Sequence, residues 1–337
     1  MPVRERRPLA WTKLALAGSL LAIAGGSAHA QACPPPPAAI RDLDMARPYS
    51  DAAGSVASAE LKARHADEAA PLKDYLTHVT RDADRAAAER DSTAAQCALA
   101  WLDAWARGSA LLGEMRSKQA EYERKWDTGG FALAYLKVRG AASQQQRVAI
   151  EPWLKSLAAA SRRFFDDPGH KRNNHWYWLG LGLGAVGSAT GDDELWSAAH
   201  AIYRDALADV AADGTLPLEL ARGTRALHYH AFALMPLVTL AELAAARGED
   251  WWGERDGALH RLAALTLAGL DDPATFDRLA GLLQERPVNA HAGWIALYAA
   301  RFPDRVRARL PASKPSHRWL GGDVRNLSLA VPGSRPR

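Results

Sequence analysis

The stretch Ala94-Ala95-Gln96-Cys97-Ala98-Leu99-Ala100-Trp101-Leu102-Asp103-Ala104-Trp105-Ala106-Arg107-Gly108-Ser109-Ala110-Leu111-Leu112 decides the fold class. Cys97, Leu99, Trp101, Leu102, Trp105 and Leu111 recur at three and four and form one apolar stripe, with Asp91-Ser92 ahead of them as a cap. The spacing predicts a helix over 94–112. Working outward, the same period runs from Ala57 to Ala300, in windows at 130–138, 144–165, 174–189, 192–212, 224–246, 252–270, 273–284 and 289–301. No sustained alternation marks a strand, and Asp213-Gly214, Arg247-Gly248 and Asp272-Pro273 punctuate the windows. The fold class is therefore all-α. Nine or more helices on short connections pair as antiparallel hairpins, curved into an incomplete ring or a solenoid.

The 337 residues are 48% hydrophobic and 24% charged, which excludes a mostly disordered or collagen-like chain and allows a sizeable core. The formal charge is +4, but Arg4, Arg6, Arg7 and Lys13 against Glu5 lie in the first thirty residues; without them 38 basic residues face 37 acidic ones, a net of +1. Such a chain lacks the overall basic excess of a nucleic-acid binder. Its opening has a positive start, an apolar run from Leu14 to Gly26 and then Ala28-His29-Ala30, the pattern of a cleaved secretory signal over 1–30. The run is shorter than the roughly 20 residues that span a bilayer. Residues 31–337 are then expected as one periplasmic or secreted domain, monomeric and without membrane attachment.

Cys33 and Cys97 are the only cysteines. In an oxidising compartment two thiols form one bridge, which for so long a loop contributes about 4 kcal/mol in the entropic account. Pro34-Pro35-Pro36-Pro37 is a stiff extended segment, 41–58 is polar and aperiodic and so a loop, and the tail 311–337 is expected to be irregular and in part extended.

Two segments hold polar residues that helix packing does not require. Lys171-Arg172-Asn173-Asn174-His175-Trp176-Tyr177-Trp178 opens a helix, and capping accounts for only one of its asparagines. Aromatic planes beside amide and imidazole groups suit a sugar, which offers an apolar face and a polar edge. In the second segment, Asp213 to His230, two arginines, a tyrosine and two histidines fall within nine residues. On a helix Arg222 and Tyr229 share a face at seven apart, and Arg225 and Tyr229 are neighbours at four. His228-x-His230 is a poor metal pair, because residues two apart point away from each other and no acidic or thiol partner stands at ligand spacing. No glycine-rich phosphate loop and no Gly-x-Ser-x-Gly elbow is present, so neither metal nor other cofactor is expected.

These same residues resemble the alginate lyases of polysaccharide lyase family 5. The family's Asn-Asn-His-x-Tyr-Trp block is matched by Asn173, Asn174, His175, Tyr177 and Trp178, and its Asp-Gly-x-Leu-Pro-x-Glu-Leu-x-Arg and Arg-Ala-Leu-x-Tyr-His blocks by Asp213 to Arg222 and Arg225 to His230. The resemblance implies an incomplete α/α toroid acting on an anionic polysaccharide, with Asn174, His175 and Arg222 neutralising the uronate carboxylate and Tyr229 moving the proton. It further implies that Tyr177, Trp178 and Arg225 contact substrate, Trp178 by stacking on a sugar, and that Arg318 closes the far end of the groove. The loop 41–58 corresponds to the family's lid, with Arg47, Tyr49 and Lys62 as its substrate contacts; where the family often has two aromatics, this chain has Pro48-Tyr49.

The chemistry of that assignment is β-elimination. The proton on carbon 5 of a uronate becomes removable when the adjacent carboxylate is neutralised, and Tyr229, its phenol lowered by Arg222 or Arg225, then serves as base and acid. One residue in both roles requires both atoms on one sugar face, as in mannuronate; guluronate would need His175 as base. A non-catalytic polysaccharide-binding protein and an α/α-ring glycoside hydrolase are the rival readings, the latter requiring a pair of groove carboxylates.

Overall fold

A computed structural model describes Met1 and residues 33–51, 56, 58–285, 293–306 and 315–327. The secretory signal read at 1–30 lies outside the described residues. The helices are α1 (Ala59–Glu89), α2 (Ser92–Arg107), α3 (Lys118–Val138), α4 (Gln144–Phe165), α5 (Asn174–Thr190), α6 (Asp193–Asp209), the single turn α7 (Pro217–Leu220), α8 (Ala226–Ala246), α9 (Glu254–Asp271), α10 (Ala274–Ala280) and α11 (Trp294–Arg301). Consecutive helices pair as α1/α2, α3/α4, α5/α6 and α8/α9. Within the pairs α1, α3, α5 and α8 each touch the next and make an inner row, which α2, α4, α6 and α9 back from outside. This is the incomplete α/α toroid.

The helix that fixes the class is shorter than its spacing predicts. Helix α2 stops at Arg107, because Ser109 and Leu111 turn left-handed and the Leu111 amide donates to Ile40 O at 2.8 Å. Its indoles hold the proline run: Trp101 Nε1 donates to Pro34 O at 2.8 Å and Trp105 Nε1 to Pro37 O at 3.2 Å. A proline segment has no N–H to offer but keeps its carbonyls, so α2 supplies the donors. Cys33 and Cys97 are joined, fastening the start of this segment to α2.

Helix α3 begins at Lys118, twelve residues before the window read from sequence. Its first half is charged yet buried, with Glu123, Arg124, Lys125 and Asp127 all inside, so it shows no apolar stripe. Helix α5 is the hub, packed on α3, α4, α6 and α8. A Cβ at Gly187 would stand 2.9 Å from the backbone atoms Asp192 O and Trp196 N, which cannot swing aside, so glycine lets the start of α6 lie this close to α5. Helix α8, with the turn before it, is long and apolar enough to cross a membrane, but its apolar surface is buried within the inner row. Helices α6 and α10 end three and four residues early, at Asp209 and Ala280, the latter capped by left-handed Gly281.

Over its described part the tail is partly extended. Ser316–His317 (β1) and Gly322–Asp323 (β2) pair antiparallel around a 3-10 turn at Arg318–Leu320. The turn lies on α3 at Gly130, where a Cβ would meet Arg318 O at 2.6 Å. Buried Lys137 clamps it, with Nζ 2.6 Å from Asp84 Oδ1 and donating to Gly321 O and Asp323 O at 2.7 and 3.0 Å.

Candidate active site

A cavity of about 810 Å³ lies between α3, the N-terminus of α5, the start of α8 and the arm Arg47-Pro48-Tyr49. That arm is rooted by the segment before it. Leu43 N donates to Glu114 O at 2.9 Å, Arg116 N to Leu43 O at 2.9 Å and Met45 N to Ser117 Oγ at 3.0 Å. Arg47, Tyr49 and Lys62 all lie on the cavity wall, as expected of lid contacts.

At the start of α5 the two asparagines divide their work. Asn173 is the cap, its Oδ1 accepting from His175 N at 3.1 Å. Asn174 is fully buried, and its backbone N and its Nδ2 both donate to Glu219 Oε1 at 2.8 Å. Glu219 Oε2 lies 3.8 Å from the Arg222 guanidinium, so one buried carboxylate orients both. His175 Nδ1 is 3.0 Å from Lys125 Nζ, and Tyr122 stacks on its ring at 3.8 Å. Burial first, then the charges of Lys125 and Arg222, hold the imidazole well below its ordinary pKa, so it is neutral at pH 7.

Arg222 lies over the face of Tyr229, its guanidinium carbon 3.5 Å from the ring centroid. The Tyr229 hydroxyl donates to Tyr49 Oη at 2.9 Å, and Arg225 donates both to Tyr49 Oη and, at 2.9 Å, to His228 Nε2. The expectation of a lowered phenol needs correcting. Burial raises Tyr229 above the ordinary tyrosine value, and Arg222, with Arg225 after it, offsets only part of that.

Three other expected contacts are placed elsewhere. Trp178 is buried in the core against Phe232 and Trp319, with ring centroids 5.0 and 5.8 Å away, and does not face the cavity. Tyr177 is buried with its hydroxyl donating to Asp209 Oδ2 at 2.9 Å. Tyr177, two beyond His175, points to another face of α5; Trp178, three beyond it, shares that face one turn further in, where Phe232 and Trp319 cover it. Arg318 is off the wall as well, with Nη2 3.7 Å from Glu123 Oε2; its neighbour Trp319 is on the wall, stacked on Trp126 at 4.4 Å.

Sequence reading misses the α3 side of the site: Tyr122, Glu123, Trp126 and, behind His175, Lys125. The available signal was charged residues interleaved with aromatics just before Gly129-Gly130, in a chain otherwise helical. Burial raises the carboxyls of Glu123 and Asp127, and the charge of Asp127 raises Glu123 further. His228 and His230 diverge as their spacing requires. His230 is a brace: Nε2 accepts from Leu216 N at 2.9 Å, Nδ1 lies 2.8 Å from Ala226 O, and burial lowers it to about 4.

The alginate lyase family model matches residues 42–276. A polysaccharide lyase of Stenotrophomonas maltophilia (strain K279a) is 45% identical over 320 residues, 93% of this chain and 94% of that protein. An alginate lyase of Azotobacter vinelandii is 34% identical over 292 residues, covering 82% and 78%. Among solved structures, a variant of alginate lyase A1-III complexed with tetrasaccharide superposes with a TM-score of 0.76 at 23% identity, over 90% of this chain and 85% of that one. Alginate lyase A1-III from Sphingomonas species A1 gives 0.72 at 23% identity, over 89% and 86%, and this likeness concerns the fold.

Proposed function

The chain belongs to the alginate lyase family, and on that premise we propose that this polysaccharide lyase cleaves polymannuronate stretches of alginate by β-elimination at the 4-O-glycosidic bond. The observation that carries the reading is the stacking of Arg222 on Tyr229 at 3.5 Å, in the cavity that Asn174 and His175 also line. A uronate carboxylate seated against Arg222, with Asn174 and His175 beside it, has its charge neutralised, which stabilises the enolate-like charge that forms when the carbon-5 proton leaves. Tyr229 lies against the same guanidinium. As phenolate it takes that proton, and as phenol it protonates the departing oxygen on carbon 4, leaving a 4,5-unsaturated sugar. Both transfers run on one face, which is the geometry of mannuronate.

The test is the ultraviolet absorbance of the unsaturated end. Incubation with polymannuronate should raise it; new reducing ends without absorbance would make the protein a hydrolase, and neither would leave a binding protein. We also propose export to the periplasm with removal of residues 1–30, on the strength of the charged, apolar and small-residue pattern there. Non-reducing peptide mapping of the exported protein should give one peptide joining Cys33 to Cys97, its Cys33 strand starting at Gln31. A strand starting upstream would contradict cleavage at this point.

A further inference from the structure

Lys125 is 1% exposed, and its ammonium nitrogen meets one hydrogen-bonding group among the described residues, His175 Nδ1 at 3.0 Å. Around it stand three aromatic rings, with centroids 4.4 Å away for Trp126 and 5.1 Å for both Tyr122 and Phe165. Burial is the larger influence and lowers the amine well below its ordinary pKa; Glu123 on the same helix and the ring faces oppose it by favouring the ammonium. An ammonium has three donors and no acceptor, so the imidazole nitrogen opposite it must accept. A neutral imidazole that accepts at Nδ1 carries its proton on Nε2.

We propose that Lys125 is a positioning residue that fixes His175 as the Nε2–H tautomer, so that the ring offers the cavity a hydrogen-bond donor and is withheld from acting as a base. The tautomer rests on the contact geometry and on the ammonium form of Lys125; its consequence for catalysis rests on the β-elimination reading. A donor at Nε2 serves the uronate carboxylate, which is what mannuronate cleavage through Tyr229 requires of His175. Cleavage of guluronate, whose carbon-5 proton lies opposite the leaving oxygen, requires instead a bare nitrogen facing carbon 5, and the form bearing it would set an Nδ1–H against the ammonium. Tyr122, stacked on the ring, holds its plane. Lys125 thus acts as a specificity determinant with no contact to the sugar.

Nitrogen-15 NMR of the imidazoles in the intact protein reads the tautomer directly, the His175 signals being assigned by their loss in His175→Gln. Nε2 protonated and Nδ1 bare is the expected result. In Lys125→Met, which keeps the stem and removes the charge, the Nδ1–H form should grow. Turnover of polymannuronate should then fall by about 10–100-fold, the range lost when a partner orienting a metal-bound histidine is removed, with little change in KM. The ratio of polymannuronate to polyguluronate cleavage should fall too, which mere loosening of the site would not produce. Nδ1–H in the unaltered protein overturns the proposal, as does a folded Lys125→Met protein with the original tautomer, turnover and ratio. Should Lys125→Met not fold, the spectrum of the unaltered protein decides. Failure of the unaltered protein to release unsaturated ends from any uronate would count against the lyase reading and leave the tautomer result standing.

Discussion

Replacing Tyr229 with phenylalanine should lower the release of unsaturated ends by about 10²–10⁴-fold, the usual contribution of a positioned proton-transfer group, in a protein that still folds. The ring, 6% exposed and lying under Arg222, is kept; only the hydroxyl and its hydrogen bond to Tyr49 are lost, a cost near 1 kcal/mol. Every uronate polymer should be affected together, since the one-face route loses both proton transfers and the two-face route loses its acid. The pH profile carries the same signature. Burial raises the phenol, so its phenolate fraction grows about tenfold per pH unit through the neutral range, and kcat/KM should climb with pH as the base form appears. That rising limb should vanish in Tyr229→Phe. Substantial polymannuronate cleavage by the folded variant would remove the tyrosine from the chemistry and make His175 the base.

The parts of this site legible in sequence share one property: each lies where local periodicity breaks. Asn174 and His175 follow a cap and cannot both be explained by it, while Arg222, Arg225 and Tyr229 crowd the entrance of an apolar helix. Tyr177 belongs to the same block but points to another face of α5, whereas Trp178 shares the face of Asn174 and His175 one turn further in and is covered by Phe232 and Trp319, leaving it 1% exposed. The α3 residues stayed hidden for the opposite reason. Glu123, Lys125 and Asp127 lie on a stretch with no apolar stripe, and tertiary contacts enclose them: Trp319 Nε1 of the tail donates to Asp127 Oδ1 at 3.1 Å, and Phe165 and His175 cover Lys125. Long-range burial of this kind leaves no periodic trace. The helix hairpins did leave one, which is why their pairing was readable, whereas the choice of ring over solenoid came with the family resemblance and the end of α2 was set by the contact of Leu111 with Ile40.

Arg222→Ala should cost about 3–4 kcal/mol of transition-state stabilisation, the amount typically lost with one preorganised donor in an oxyanion site. The loss should fall on turnover more than on KM, because the guanidinium is needed most when carbon 5 has given up its proton and the carboxylate carries the enolate-like charge. Two further consequences follow from its neighbours. Arg222 is the strongest influence lowering the Tyr229 phenol, so its removal raises that group further and moves the rising limb of the pH profile to higher pH. Glu219 loses the cation 3.8 Å from its Oε2, yet keeps the two hydrogen bonds from Asn174, so the start of α5 should hold its place. Arg222→Lys separates charge from shape. It restores a point charge without the planar fork, and should recover part of the turnover and part of the pH shift. The decisive comparison is kcat and KM of Arg222→Ala and Arg222→Lys on polymannuronate across pH. A raised KM with unchanged turnover in Arg222→Ala would assign the residue to ground-state binding and leave neutralisation of the carboxylate to Asn174 and His175 alone.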